Sequence, residues 1–73
     1  MKNNIAVYAG TFDPITNGHK DLIIRAANLH EHLFLAIGIN SGKKNPLFTM
    51  TERFEMAQQV VRDIDNITVA TFN

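Results

Sequence analysis

Gly10-Thr11-Phe12-Asp13-Pro14-Ile15-Thr16-Asn17-Gly18-His19 gathers residue types suited to holding an anion. An apolar run, Ile5 to Ala9, precedes it, and a helix-like pattern begins near Gly18. That order predicts a strand, then a glycine-bounded loop, then a histidine on the first turn of a helix. A helix start carries unpaired N–H groups and the positive end of the peptide dipole, so it draws anions. Gly10 and Gly18 bear no side chain where a phosphate has to approach the backbone, and His19 can donate a hydrogen bond to the same anion. The chemistry suggested is that of nucleotide phosphates. The loop has neither the Gly-x-Gly-x-x-Gly spacing of dinucleotide folds nor the Gly-Lys-Ser/Thr ending of a P-loop, which disfavours both. The plainer alternative is a glycine-bounded turn with an incidental histidine.

A second polar loop runs from Ser41 to Leu47 and contains Gly42, Lys43, Lys44 and Pro46. The elements around the two loops can be read from periodicity. Ile5 to Gly10 is nearly continuous in apolar residues, the pattern of a strand buried on both faces. Asp13-Pro14 disfavours helix, and Thr16-Asn17-Gly18 offers a cap for the helix that follows. From Gly18 to about Leu29, the apolar residues Leu22, Ile23, Ala26 and Leu29 share one helical face. Leu33 to Ile39 reads as a second strand. Thr49-Met50-Thr51-Glu52 has capping-box spacing, with Met50, Phe54, Ala57, Val61 and Ile64 forming an apolar stripe beyond it. Ile67 to Phe72 reads as a third strand. The result is β-α-β-α-β, an α/β fold with a three-stranded parallel sheet and right-handed crossovers. The loops leaving the first two strands then meet at one sheet edge, where open α/β sheets bind ligands.

Composition narrows the class. The chain has 73 residues, 45% of them hydrophobic, no cysteine, and seven acidic against seven basic side chains. It contains no disulfide framework or thiolate metal site, and a cytoplasmic location is the default. The N-terminal apolar run is too short for a signal-peptide core or a membrane span. Zero net charge argues against nucleic acid as partner. A domain this small buries only about 60% of its unfolded surface, so reliance on partner chains or on further sequence is expected. His30, Glu31 and His32 read as a surface loop in preference to a metal site; Asp13 reads as a maker of turn hydrogen bonds.

The segment Gly10 to His19, with its Thr16-Asn17-Gly18-His19 core, resembles the signature of the nucleotidyltransferase superfamily marked by His/Thr-x-Gly-His. Within it, the Thr-x-Gly-His form is similar to the bacterial phosphopantetheine adenylyltransferases. Lys43-Lys44 with Pro46-Leu47-Phe48-Thr49, and Glu52-Arg53 at the second helix, fit the same family. The resemblance implies a Rossmann-like fold and transfer of the adenylyl group of ATP onto 4′-phosphopantetheine, giving dephospho-coenzyme A and pyrophosphate. It implies that His19 stabilises the transition state at the α-phosphate and that Thr11 contacts both the acceptor phosphate and ATP. Phe12 would add a backbone N–H toward ATP, and Lys43 would pair with the acceptor phosphate. Asn45 departs from the family pattern and leaves Lys43 against Lys44 open, with Lys44 read as a solvated flank. Mg²⁺ is implied on the ATP phosphates, without a protein-built metal site, and a homohexamer is implied as the assembly.

Family chains continue beyond the equivalent of Asn73 into an Arg-Gly strand region and an Ile-Ser-Ser/Thr segment. The sheet order of the family, 3-2-1-4-5, would leave the first strand as an edge here. The expectation is therefore the N-terminal half of one nucleotidyltransferase domain, residues 1–73, inactive by itself. Two alternatives remain: a related enzyme acting on nicotinamide mononucleotide or, with CTP, on glycerol or choline phosphate, and a non-catalytic nucleotide-binding module.

Overall fold

The computed structural model describes residues 4–38 and 48–72. The chain runs β1 (Ile5–Gly10), α1 (Asn17–Leu29), β2 (His32–Gly38), α2 (Met50–Val61) and β3 (Ile67–Phe72). The strands form one sheet in the order β1-β2-β3, and both pairings are parallel. Ala6 lies beside Leu33 and Leu33 beside Ile67, while Tyr8 lies beside Leu35 and Leu35 beside Val69. Partners in a parallel ladder point to the same side, so these residues share a face with Ile37. Against that face pack Ile23 and Ala27 of α1, Ala57 and Val61 of α2, and the Phe12 ring from the first loop. Two successive crossovers of one hand place both helices on the same side of the sheet.

The other face is bare among the described residues, which corrects the reading of the first strand as buried on both sides. Ile5 and Val7 are 67% and 66% exposed, and β1 alternates exposed and half-buried along its length. With no layer on that side, an apolar run long enough for two-sided burial is covered on one side only. The buried stripe of α1 differs from expectation for a related reason. It consists of Ile23 and Ala27, with Ala26 half-buried beside them, while Leu22 and Leu29 are exposed. β1 is the edge strand of the sheet, so no further strand is present to cover the outer flank of α1.

Capping fixes both helix starts. Thr49 Oγ1 accepts from Glu52 N at 3.1 Å and Glu52 Oε1 accepts from Thr49 N at 2.9 Å, the capping box expected from the spacing. α1 starts one residue before Gly18 and has Thr16 as its cap. The stripe of α2 buries Ala57 and Val61, with Met50 and Phe54 half-buried; Ile64 packs on the core from just beyond the helix, its N–H bonded to Val61 O at 2.9 Å. Asn66 closes the far end of α1 from a distance: its amide donates to Ala27 O at 2.7 Å, His30 O at 3.1 Å and Glu31 O at 3.3 Å. These carbonyls at the end of α1 and just beyond it would otherwise lack a donor among the described residues. Among the described residues, no helix is long and apolar enough to cross a membrane.

Candidate functional site

The C-terminal ends of β1 and β2 lie side by side, Gly10 beside Ile37. From Gly10 the chain turns sharply: Phe12 has φ of 49°, a left-handed conformation that costs a non-glycine residue unless its surroundings hold it. What holds it is its ring. Phe12 is buried, meets the Tyr8 ring edge-on with centroids 5.4 Å apart, and meets the His19 imidazole edge-on at 4.9 Å. A Cβ on Gly10 would come within 3.1 Å of the Phe12 ring, a tight approach that the ring would have to yield to by a few tenths of an ångström. A Cβ on Gly18 would meet nothing nearer than Thr16 Oγ1 at 3.7 Å, which leaves the space above the first turn of α1 open.

His19 occupies the third position of α1 and completes a capping box of its own. Thr16 Oγ1 accepts from His19 N at 3.3 Å, and Thr16 N donates to His19 Nδ1 at 2.9 Å. A backbone N–H can only donate, so Nδ1 must accept. In the neutral ring the proton is then on Nε2, which has no partner among the described residues. The fold thus holds an imidazole N–H donor at the positive end of a helix, orients it by the Phe12 ring, and sets its tautomer by main-chain contact. The Thr11 side chain has no hydrogen-bond partner among the described residues, and its carbonyl faces inward to Arg53.

Two further contacts tie the loop down. Asp13 Oδ1 accepts from Phe48 N at 2.8 Å, which joins the first loop to the segment entering α2. Arg53 is 3% exposed, and its Nη1 donates to Thr11 O at 3.1 Å and Gly38 O at 3.2 Å. Sequence reasoning missed this role of Arg53. The signal was a charge at the i, i+4, i+8 spacing of Arg53, Ala57 and Val61, inside the apolar stripe of α2. Lys43 and Lys44 fall outside the described residues.

His30 and His32 lie at the opposite end of the sheet. Ala26 O accepts from His30 Nδ1 at 2.7 Å, and His32, the first residue of β2 rather than a loop residue, has Nε2 2.8 Å from Thr68 Oγ1. Among the described residues no three His, Cys, Asp or Glu side chains gather as a metal site. A divalent cation carried on nucleotide phosphates needs no such cage, so the residues present are compatible with one.

A parallel sheet with a glycine-bounded loop and a histidine-bearing helix start at its C-terminal edge is a Rossmann-like α/β unit. The family model described as cytidylyltransferase-like matches residues 7–73, and the chain belongs to that family. Among curated relatives, the phosphopantetheine adenylyltransferase of Photorhabdus laumondii subsp. laumondii is 48% identical over 67 residues, 92% of this chain and 41% of the relative. The phosphopantetheine adenylyltransferase of Hahella chejuensis is 49% identical over 70 residues, 96% of this chain and 43% of the relative. The chain spans about two fifths of the length of these relatives.

Proposed function

We propose that this chain is the N-terminal part of a phosphopantetheine adenylyltransferase, which moves the adenylyl group of ATP onto 4′-phosphopantetheine. The observation that carries the reading is the outward Nε2–H of His19, held at the start of α1 by the Thr16 N–H. In this reaction an acceptor phosphate oxygen bonds to the α-phosphorus as the bond to the bridging β-phosphate oxygen breaks, releasing pyrophosphate. The nucleophile is already anionic, so the protein has to align the partners and neutralise charge; it need not remove a proton. His19 donates to the α-phosphate as negative charge shifts through it, and the N–H groups at the head of α1 add the helix field. The Thr11 hydroxyl faces both substrates, the Phe12 N–H points toward ATP, and Lys43 of the second loop pairs with the acceptor phosphate. A magnesium ion bound to the ATP phosphates would offset their charge. The relatives named as phosphopantetheine adenylyltransferases support the choice of acceptor.

The cytidylyltransferase-like family model favours a second reading, cytidylyl transfer from CTP, on the same cradle. Offering the full-length protein ATP or CTP with magnesium and, in turn, 4′-phosphopantetheine, nicotinamide mononucleotide and glycerol phosphate separates the two. Pyrophosphate is expected with ATP and 4′-phosphopantetheine. Release confined to another pair would overturn the proposal, and nucleotide binding without turnover would indicate a non-catalytic module. Residues 1–73 alone are expected to bind anions weakly and to give no measurable transfer.

A further inference from the structure

Arg53 is the buried charged side chain among the described residues, and the apolar core gives no reason for it. It has no carboxylate partner among the described residues, and its buried Nε lacks any hydrogen-bond partner. Taking a guanidinium out of water without a counter-ion is costly, and an unpaired buried donor adds to the cost. At the i, i+4, i+8 spacing shared with Ala57 and Val61, an apolar side chain would pack with neither cost.

What the arginine achieves is a link between separate strands. Its Nη1 bonds the carbonyl of Thr11, one residue after β1, and the carbonyl of Gly38, the last residue of β2. The two loops proposed to carry the chemistry leave the sheet at these points. Thr11 precedes Phe12, whose left-handed φ must be held from outside, and the Phe12 ring rests against His19. A continuous line of contact therefore runs from the guanidinium through the Thr11 carbonyl and the Phe12 ring to the imidazole.

We propose that Arg53 is a positioning residue: its buried guanidinium staples the Thr11 turn to the end of β2 and thereby sets the position of His19. The proposal rests on the nucleotidyltransferase reading for its catalytic consequence, whereas the staple itself does not depend on that reading. The unpaired guanidinium charge also lies under the loop, where its field adds to that of the helix start for any anion bound above.

The test uses the full-length protein with Arg53→Met, Arg53→Lys and His19→Ala, singly and combined. In ligand-free protein, Arg53→Met should move the Phe12 and His19 ring resonances, whose packing follows the turn, while leaving amide exchange at Leu33 to Ile37 protected. In turnover, Arg53→Met should lower kcat by about 30-fold in the wild-type background and hardly at all in the His19→Ala background, since coupled residues are not additive. Arg53→Lys, which keeps the charge and can reach one carbonyl, should recover part of kcat. Uniformly faster exchange across the sheet, or an equal loss of kcat in both backgrounds, would show a merely structural arginine and overturn the proposal. Unchanged Phe12 and His19 ring resonances would overturn it equally. If the full-length protein transfers no nucleotidyl group, the functional reading fails, while the Phe12 and His19 ring resonances still decide whether the staple exists.

Discussion

At the start of α1 a histidine accepts a hydrogen bond from the main chain; just past its end another histidine donates one. His19 Nδ1 takes the Thr16 N–H at 2.9 Å, whereas His30 Nδ1 gives its proton to Ala26 O at 2.7 Å. The polarity of the helix dictates the difference, because its first turn offers spare N–H groups and its last turn spare carbonyls. The same side chain is thereby fixed in opposite tautomers, a donor Nε2 at the C-terminal edge of the sheet and an acceptor Nε2 at the other. Only the first suits an anionic ligand. At the far end Asn66 donates to three carbonyls and His32 sits 2.8 Å from a threonine hydroxyl, while the second ring nitrogen of His30 has no partner among the described residues. At the near end, the His19 Nε2 and the Arg53 Nε lack partners among the described residues.

The comparison breaks most visibly in the histidines. In the full-length enzyme, His19→Ala should lower kcat on the order of 10²–10³-fold, the usual effect of removing one donor to developing charge. His30→Ala should leave kcat unchanged in the same steady-state assay. Comparable losses for both would erase the distinction between the two ends.

The lysines of the second loop sharpen it. Lys43→Ala should lower kcat/KM for 4′-phosphopantetheine by roughly 10- to 100-fold, the range expected for a charged hydrogen bond. Lys44→Ala should change it little, as loss of an exposed charge generally does. Kinetics with the acceptor varied distinguish them, and the reverse ranking would move the phosphate contact to Lys44.

Asn66→Ala is the smallest in activity and the clearest in stability. Three carbonyls lose their donor, for a cost of about 1–3 kcal/mol, with kcat unaffected. Chemical denaturation alongside the turnover assay checks both halves of this statement. A marked fall in kcat would mean that the two ends are not independent.

Much of this was legible in the sequence. The element order, the strand bounds at Ile5 and Phe72, and the Thr49-Glu52 box follow from periodicity and capping chemistry, which are local. The loop from Gly10 to His19 could be recognised because its residue types and spacing are those an anion cradle needs. What escaped were contacts that depend on which segments the fold brings together. Arg53 bonds carbonyls 42 and 15 residues away, and Asn66 closes a helix 36 residues upstream at His30. No spacing rule encodes those partners. The bare face of β1 escaped for the opposite reason: its residues have the pattern for two-sided burial, but Ile5 and Val7 meet no covering layer here.

His19 caps the helix with one ring nitrogen and, in the proposed reaction, serves an anion with the other. His19→Glu separates these two tasks, because glutamate at this position can accept the Thr16 N–H as Glu52 accepts that of Thr49. In the full-length enzyme, the unfolding free energy of the variant should stay within about 1 kcal/mol of wild type, since the box is preserved. With the outward donor replaced by an acceptor, its kcat should fall by at least about 10²-fold. A variant that retains wild-type stability and turns over within tenfold of wild type would contradict the account.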